Sequence, residues 1–487
     1  MPRGTRRRAT AWWLLAGAAL AGVVAVVAAV LWSGDPRRGT TPHPPAPWTP
    51  QPPTLETDTL SLSVSDNGRY LVDTNGEPFF WLGDTAWSMP IALDRDEVTR
   101  YLDARARQGF TVIQTVAIFP HAGGPGPNRY GDHPYRGDLT DLAVTDGSDP
   151  GDSTQYDYWD HLDYIISEAH ARKLRVALFP VWSDSQVGTL LRQDNAAAYG
   201  TFLGRRYGDR VIWVLGGDEG TKGYENIWRE LARGIAIGAT GREDYSTTLM
   251  TYHPLGDDSS VRYFHNDAWL DLNMIQGGHC RRYEVRNNLL NEAYQAHPPK
   301  PFLDGEPIYE AHPYCWKPED GYATPLDVRR DAYWAMFAGA AGHTYGHHTV
   351  WQFTGGDRPR VSNPLGDWQS ALDAEAAWQM RHLRDLMESR RWWAAKPDVE
   401  VVTSAPGRNA ERIRALRADD GSWAMVYSPD GRPFTADLSR LGTGPVRVSW
   451  FDPRTGDVSE AGTATGETAF TPPSRGEDWV LVAEFDR

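Results

Sequence analysis

The sequence predicts a (β/α)8 TIM barrel, followed by a small all-β sandwich domain and preceded by one N-terminal transmembrane helix. Three observations carry this expectation. Eight short apolar runs alternate with amphipathic stretches between about Ser61 and Trp393. Beyond Trp393 the texture changes to short β-type runs parted by Asp-Asp-Gly, Pro-Asp-Gly and Pro-Arg-Thr-Gly turns. At the front, an uncharged run of 22 residues follows a cluster of arginines.

Taken in order, Arg3, Arg6, Arg7 and Arg8 precede the run Ala11–Trp32. At about 1.5 Å per residue such a helix spans a hydrocarbon core of roughly 30 Å. The arginines keep the first ten residues cytoplasmic, so the rest of the chain is exported. Trp12, Trp13 and Trp32 stand at the two ends, where indoles favour the membrane interface. Residues 11–32 therefore read as a signal anchor in a cell membrane. A cleaved signal peptide, whose apolar core is usually shorter, stays open and would leave a secreted protein. Residues 33–56 are dense in proline, which blocks helix and sheet and leaves an extended spacer.

Strand starts fall at Phe79, Thr111, Leu174, Val211, Thr247, Asp271, Pro301 and His343. Helix-like stretches such as Arg95–Gln108, Tyr158–Arg172, Ala196–Tyr207 and Tyr224–Ile235 lie between them. Strict β–α alternation with eight strands points to the barrel, assigned to residues 57–395. A doubly wound open sheet is the runner-up, but it would carry a Gly-rich nucleotide turn after an early strand, and none is present. Residues 396–487 read as the antiparallel sandwich.

Charge excludes one class of partner. Outside the first forty residues the chain holds 43 basic and 63 acidic side chains, a balance of about −20. Phosphate binding needs a basic footprint, so nucleic acid is not expected. The 21 Trp and 21 Tyr supply flat apolar faces that suit sugars, though they also fill cores. The two cysteines, Cys280 and Cys315, leave a disulfide and two isolated thiols both open.

Chemistry in a barrel sits at the C-terminal strand ends. The first strand ends in WLGDTAW, with Asp84 and Trp87; the second in IFPH, with His121; the third in LFPVWSD, with Trp182. The fourth ends in LGGDEG, the fifth in Tyr252–His253, the sixth in Gln276 and His279, the seventh at Glu306, the eighth at His347 and His348. Polar groups and aromatics together at these ends compose a pocket for a polyhydroxylated ligand. Asp84, Trp87, His121, Trp182, His253, Gln276, Glu310 and His347 are the expected substrate contacts.

Asp218 and Glu306 stand apart. Asp218 follows a pair of glycines, and Glu306 sits in PFLDGEPIYE directly after a short apolar run. Strands four and seven lie across the barrel mouth, so the two carboxylates can face each other over a ligand. Glycoside hydrolysis needs such a pair: one acid protonates the leaving oxygen while the other attacks the anomeric carbon or activates water. Glu219 and Glu310 compete, but Glu219 points the other way along the turn and Glu310 is four residues past the strand end. A catalytic metal is not expected, because the first strand lacks the histidines such barrels use. No Gly-x-Ser-x-Gly elbow appears for Ser-His-Asp chemistry. No cofactor is expected.

The motifs FFWLGDTAW, VIWVLGGDEG and GEPIYE, with FDPRTG and DWVLVAE in the sandwich, resemble the apiosidase-like glycoside hydrolases (glycoside hydrolase family 140 and its relatives). The resemblance runs from about Leu62 to Phe485. It implies a (β/α)8 barrel and a retaining mechanism, with Asp218 as acid/base and Glu306 as nucleophile. It also implies plant or microbial polysaccharide as substrate, since characterised relatives release apiose from a pectic side chain. The C-terminal segment resembles a module described as collagen-binding, which implies polysaccharide or matrix contact. The expected protein is thus a surface-tethered glycosidase; the alternative is a non-catalytic carbohydrate- or matrix-binding surface protein.

Overall fold

The computed structural model describes residues 60–121, 124–184, 186–356, 358 and 360–485. The expected transmembrane segment and proline-rich spacer lie outside these residues. Among the described residues no helix is long and apolar enough to cross a membrane.

Eight parallel strands form the centre: β1 Trp81–Thr85, β2 Val112–Ile118, β3 Arg175–Val181, β4 Ile212–Gly216, β5 Met250–His253, β6 Asn273–Gln276, β7 Phe302–Asp304 and β8 Gly342–Tyr345. Each begins within three residues of its expected start. Six form one sheet in the order β5-β4-β3-β2-β1-β8, while β6 and β7 pair separately. Backbone bonds bridge both seams: Asp271 N donates to Met250 O (2.9 Å) and Ala341 N to Phe302 O (2.8 Å). The arrangement is a TIM-like barrel.

Seven principal helices surround it: α1 Arg95–Arg107, α2 Tyr158–Ala171, α3 Ala196–Tyr207, α4 Glu225–Thr240, α5 Tyr283–Gln295, α6 Pro325–Phe337 and α7 Glu375–Glu388. Capping boxes at Asp94/Glu97, Asp157/Asp160 and Thr324/Asp327 start α1, α2 and α6 by satisfying otherwise orphaned N–H groups.

The strands read as continuous apolar runs because both faces are buried. Ile212 and Val214 of β4 join the inner core with Val112, Val116 and Phe179. Trp213 and Leu215 join the outer layer against the helices, as do Leu82 of β1 and Tyr252 of β5. This period of two decides which strand-end side chain faces the pocket. The first strand starts later than the apolar run suggests, because Pro78–Phe79 pairs instead with Leu71–Asp73 in a small antiparallel sheet. Leu71 and Phe79 of that sheet pack onto the inner core.

From Ala395 the chain forms a six-stranded antiparallel sheet with a separate two-stranded ladder, Phe434–Asp437 with Glu467–Phe470. One face of the larger sheet belongs to a core of its own around Val426, Val448, Trp450 and Leu481. The other face, with Met425, Tyr427, Val480 and Val482, is continuous with the barrel's outer core.

Candidate active site

Asp218 leaves β4 through Gly216 and Gly217, whose φ values are +101° and +138°. A side chain at Gly217 would put Cβ 2.6 Å from Ser183 N and 3.1 Å from the Trp182 ring, so glycine is what lets the β3 and β4 ends close on each other. The turn delivers Asp218 to Gln276, whose Nε2 donates to Asp218 Oδ1 at 2.7 Å. Its neighbour Glu219 folds back, accepting from Gly220 N at 2.9 Å.

Glu306 is 2% exposed. His279 Nε2 donates to its Oε1 at 2.9 Å. His253 Nε2 stands 3.1 Å from its Oε2, in ion-pair range but out of line for a directed hydrogen bond. One donor atom from each of Asp218, His253 and Glu306 lies within 4.8 Å of the others. The two carboxylates from opposite sides of the mouth therefore meet.

Their environments push them apart electrically. Burial raises Asp218 first, and the Glu306 charge raises it further; His253, Gln276 and His279 only partly offset this, leaving it at about 7. Burial also works to raise Glu306. Contacts with His253 and His279 outweigh it and bring Glu306 down to about 2. At neutral pH one group holds a proton on a good share of molecules while the other is ionised.

The walls are aromatic. Trp87 and Trp182 meet with centroids 4.9 Å apart, and the Trp182 ring lies 5.5 Å from His253. Of the expected contacts, Trp87, Trp182, His253 and Gln276 thus gather around Asp218 and Glu306. His121 lies in the short strand Pro120–His121, which pairs with Gly124–Pro125.

Three expected contacts are placed elsewhere. Asp84 is outward on β1, in phase with Leu82, and fully buried with Arg105 Nε at 2.6 Å and Tyr101 OH at 2.5 Å. It anchors α1 to the barrel. Glu310 accepts from Tyr345 OH at 2.7 Å and from Ala376 N at 3.2 Å, also in the outer layer. His347 accepts from Thr349 N at 3.1 Å, and burial with the nearby Arg105 charge lowers its pKa to about 3. The strand-end rule found all three, but the period of two turns Asp84 of β1 outward, while Glu310 and His347 lie beyond the ends of β7 and β8 and face each other in an isolated parallel bridge.

His279 was legible at a strand end, yet its direct bond to Glu306 was not. Tyr309, three residues past Glu306, packs its ring 4.5 Å from His279 and sits close enough for the Glu306 charge to raise its pKa, second to burial. The spacing inside GEPIYE is the signal that could have found it. The segment carrying Gln276 and His279 is braced by Arg286, which donates to Gly277 O (3.0 Å), Gly278 O (2.8 Å) and Asp331 (2.9 Å). Cys280 and Cys315 are joined in a disulfide.

A carboxylate pair across the mouth of a TIM-like barrel, walled by tryptophans, defines a glycosidase. Comparison with known proteins makes this specific. Residues 65–394 match the family model described as "Apiosidase-like, catalytic domain", and the chain belongs to that family. Residues 396–484 match one described as "Putative collagen-binding domain of a collagenase". A solved structure described as a glycoside hydrolase is similar at 32% identity and a TM-score of 0.80, over 87% of this chain and 96% of that one. Another, described as a glycoside hydrolase family 5 protein from Bacteroides vulgatus ATCC 8482, is similar at 32% identity and a TM-score of 0.79, over 87% and 93%. Among curated proteins no match is found.

Proposed function

We propose that the protein is a retaining glycosidase that uses Asp218 as acid/base and Glu306 as nucleophile, in a closed eight-stranded barrel. The observation that carries this reading is the pair itself: carboxylate oxygens within 4.8 Å with pKa values of about 7 and about 2. Retaining enzymes hold their carboxyl groups about 5–5.5 Å apart, whereas inverting ones need roughly 6.5–9.5 Å to admit a water.

In the first step Glu306 attacks the anomeric carbon as the glycosidic C–O bond breaks, and Asp218 gives its proton to the departing oxygen. In the second, Asp218, now ionised, takes a proton from water. The resulting oxygen nucleophile displaces Glu306 from the anomeric carbon. Gln276 holds Asp218 in line, while His253 and His279 keep Glu306 ionised and fixed. Trp87 and Trp182 offer C–H-compatible faces to the sugar.

Membership of the family supports a plant or microbial polysaccharide as substrate, with a pectic apioside the first candidate. The N-terminal arginines and apolar run support display on the outer face of a cell membrane. The C-terminal domain's match supports polysaccharide or matrix contact.

The test is a panel of aryl glycosides and pectic oligosaccharides analysed for released monosaccharide. Glu306→Gln should lose turnover by about 10⁴-fold or more while folding normally. Unchanged turnover would refute the assignment, and binding without product from the native protein would favour a non-catalytic carbohydrate-binding role. A second reading rests on the same three donors, since two carboxylates and a histidine also suit a divalent cation. Loss of activity on dialysis against a chelator would support that reading instead.

A further inference from the structure

Trp316 lies on the loop after Glu306 and is 43% exposed, unlike the tryptophans that wall the pocket. Only one ring separates it from Glu306. His279, bonded to Glu306, lies 5.5 Å from the Trp316 ring at 76°, and His312, stacked on His279 at 3.9 Å, lies 4.4 Å from it at 85°.

The backbone beneath it is unusual. Cys315 and Trp316 have φ values of +51° and +63°, two consecutive non-glycine residues in the left-handed region. Such conformations persist only where the surroundings over-determine them, and they cluster at ligand clamps. Three restraints act here. The disulfide ties Cys315 to Cys280, beside His279. Cys315 N donates to His279 O at 3.0 Å. Arg281 sits over the Tyr314 ring, 3.5 Å from its centroid. The loop thus spends conformational strain and a covalent link to hold a large apolar ring open to solvent, in register with the histidine that orients Glu306.

We infer that Trp316 is a stacking platform for a neutral sugar ring adjoining the unit under attack. A glycosyl residue fits because its C–H face can cover the exposed indole while its hydroxyls stay hydrated. The inference rests on the glycosidase reading of Asp218 and Glu306, and it makes recognition extend beyond a single sugar unit.

Binding separates the two ideas. Dissociation constants for short pectic oligosaccharides are measured by calorimetry on Glu306→Gln protein, alone and combined with Trp316→Ala or Trp316→Phe. Trp316→Ala should weaken binding about tenfold to a hundredfold, as truncating an aromatic anchor does, and Trp316→Phe should retain most of it. The Cys280→Ser/Cys315→Ser pair should weaken binding in the same direction. Equal binding by Trp316→Ala and its parent, or no binding by the parent, overturns the inference. Failure of the nucleophile assignment would appear separately, as turnover surviving in Glu306→Gln.

Discussion

Asp218 is stored in a state the folded protein pays to keep. Its ordinary value of 3.8 is moved to about 7, so between those values the native state binds the proton that the unfolded chain releases. Stability from this group is fully present at low pH and declines as pH rises through that window. Asp218→Asn should therefore raise Tm at pH 8 and change it little at pH 4, as calorimetry would register; a larger gain at pH 4 would contradict the shift. The same group sets the alkaline limb of activity. kcat/KM should fall above about pH 7 as Asp218 loses its proton, while Glu306, at about 2, leaves the acid side flat until the protein unfolds. Asp218→Ala should remove that limb and lower turnover about 10²–10⁴-fold on ordinary glycosides, and less on aryl glycosides whose leaving group needs no proton.

At the scale of elements, the strand ends matter less than what braces them. Arg286 on α5 reaches under the β6 end and holds the carbonyls of Gly277 and Gly278, with Asp331 of α6 as its counter-charge. All of these groups are buried, so removing the cation leaves an unpaired carboxylate and two orphaned carbonyls. Arg286→Met should cost about 3–5 kcal/mol in denaturant unfolding, and should lower kcat by misplacing Gln276 and His279. A stability change below 1 kcal/mol would mean that the brace is not structural. Asp84 plays the matching role at β1, where its bond to Arg105 ties α1 to the strand.

Across the whole molecule, the β domain is part of the barrel's core as well as a neighbour to it. Arg329 of α6 forms a buried fork with Asp478 at 2.7–3.1 Å, and Tyr333 of α6 stacks on Tyr427 with centroids 4.8 Å apart at 17°. Trp334 Nε1 donates to Arg412 O at 2.8 Å. Ending the chain after residue 395 would expose this apolar face and leave Arg329 unpaired. The truncated barrel should aggregate or lose its cooperative melt, whereas Arg329→Met with Asp478→Leu in the full chain should be milder than either change alone. Scanning calorimetry of the three proteins checks both statements.

The sequence by itself determined the eight strands, the turn to a β domain near residue 395, and the two carboxylates at the ends of β4 and β7. It did so because those features are written locally: apolar runs buried on both faces, glycines where the backbone must turn, turn dipeptides between short strands. Only the tertiary structure decided which strand-end groups meet. A shift of one residue in a strand turns a side chain from the pocket to the helix layer, and no composition records that phase. Asp84 went to the outer layer for that reason, and Glu310 and His347, past their strand ends, are held by Tyr345, Ala376 and Thr349, while Tyr309 joined the site and Trp316 came to stand beside it. The opposite protonation of Asp218 and Glu306 was decided there too, since it depends on burial and on two histidines from β5 and the β6 end, far from either carboxylate in sequence.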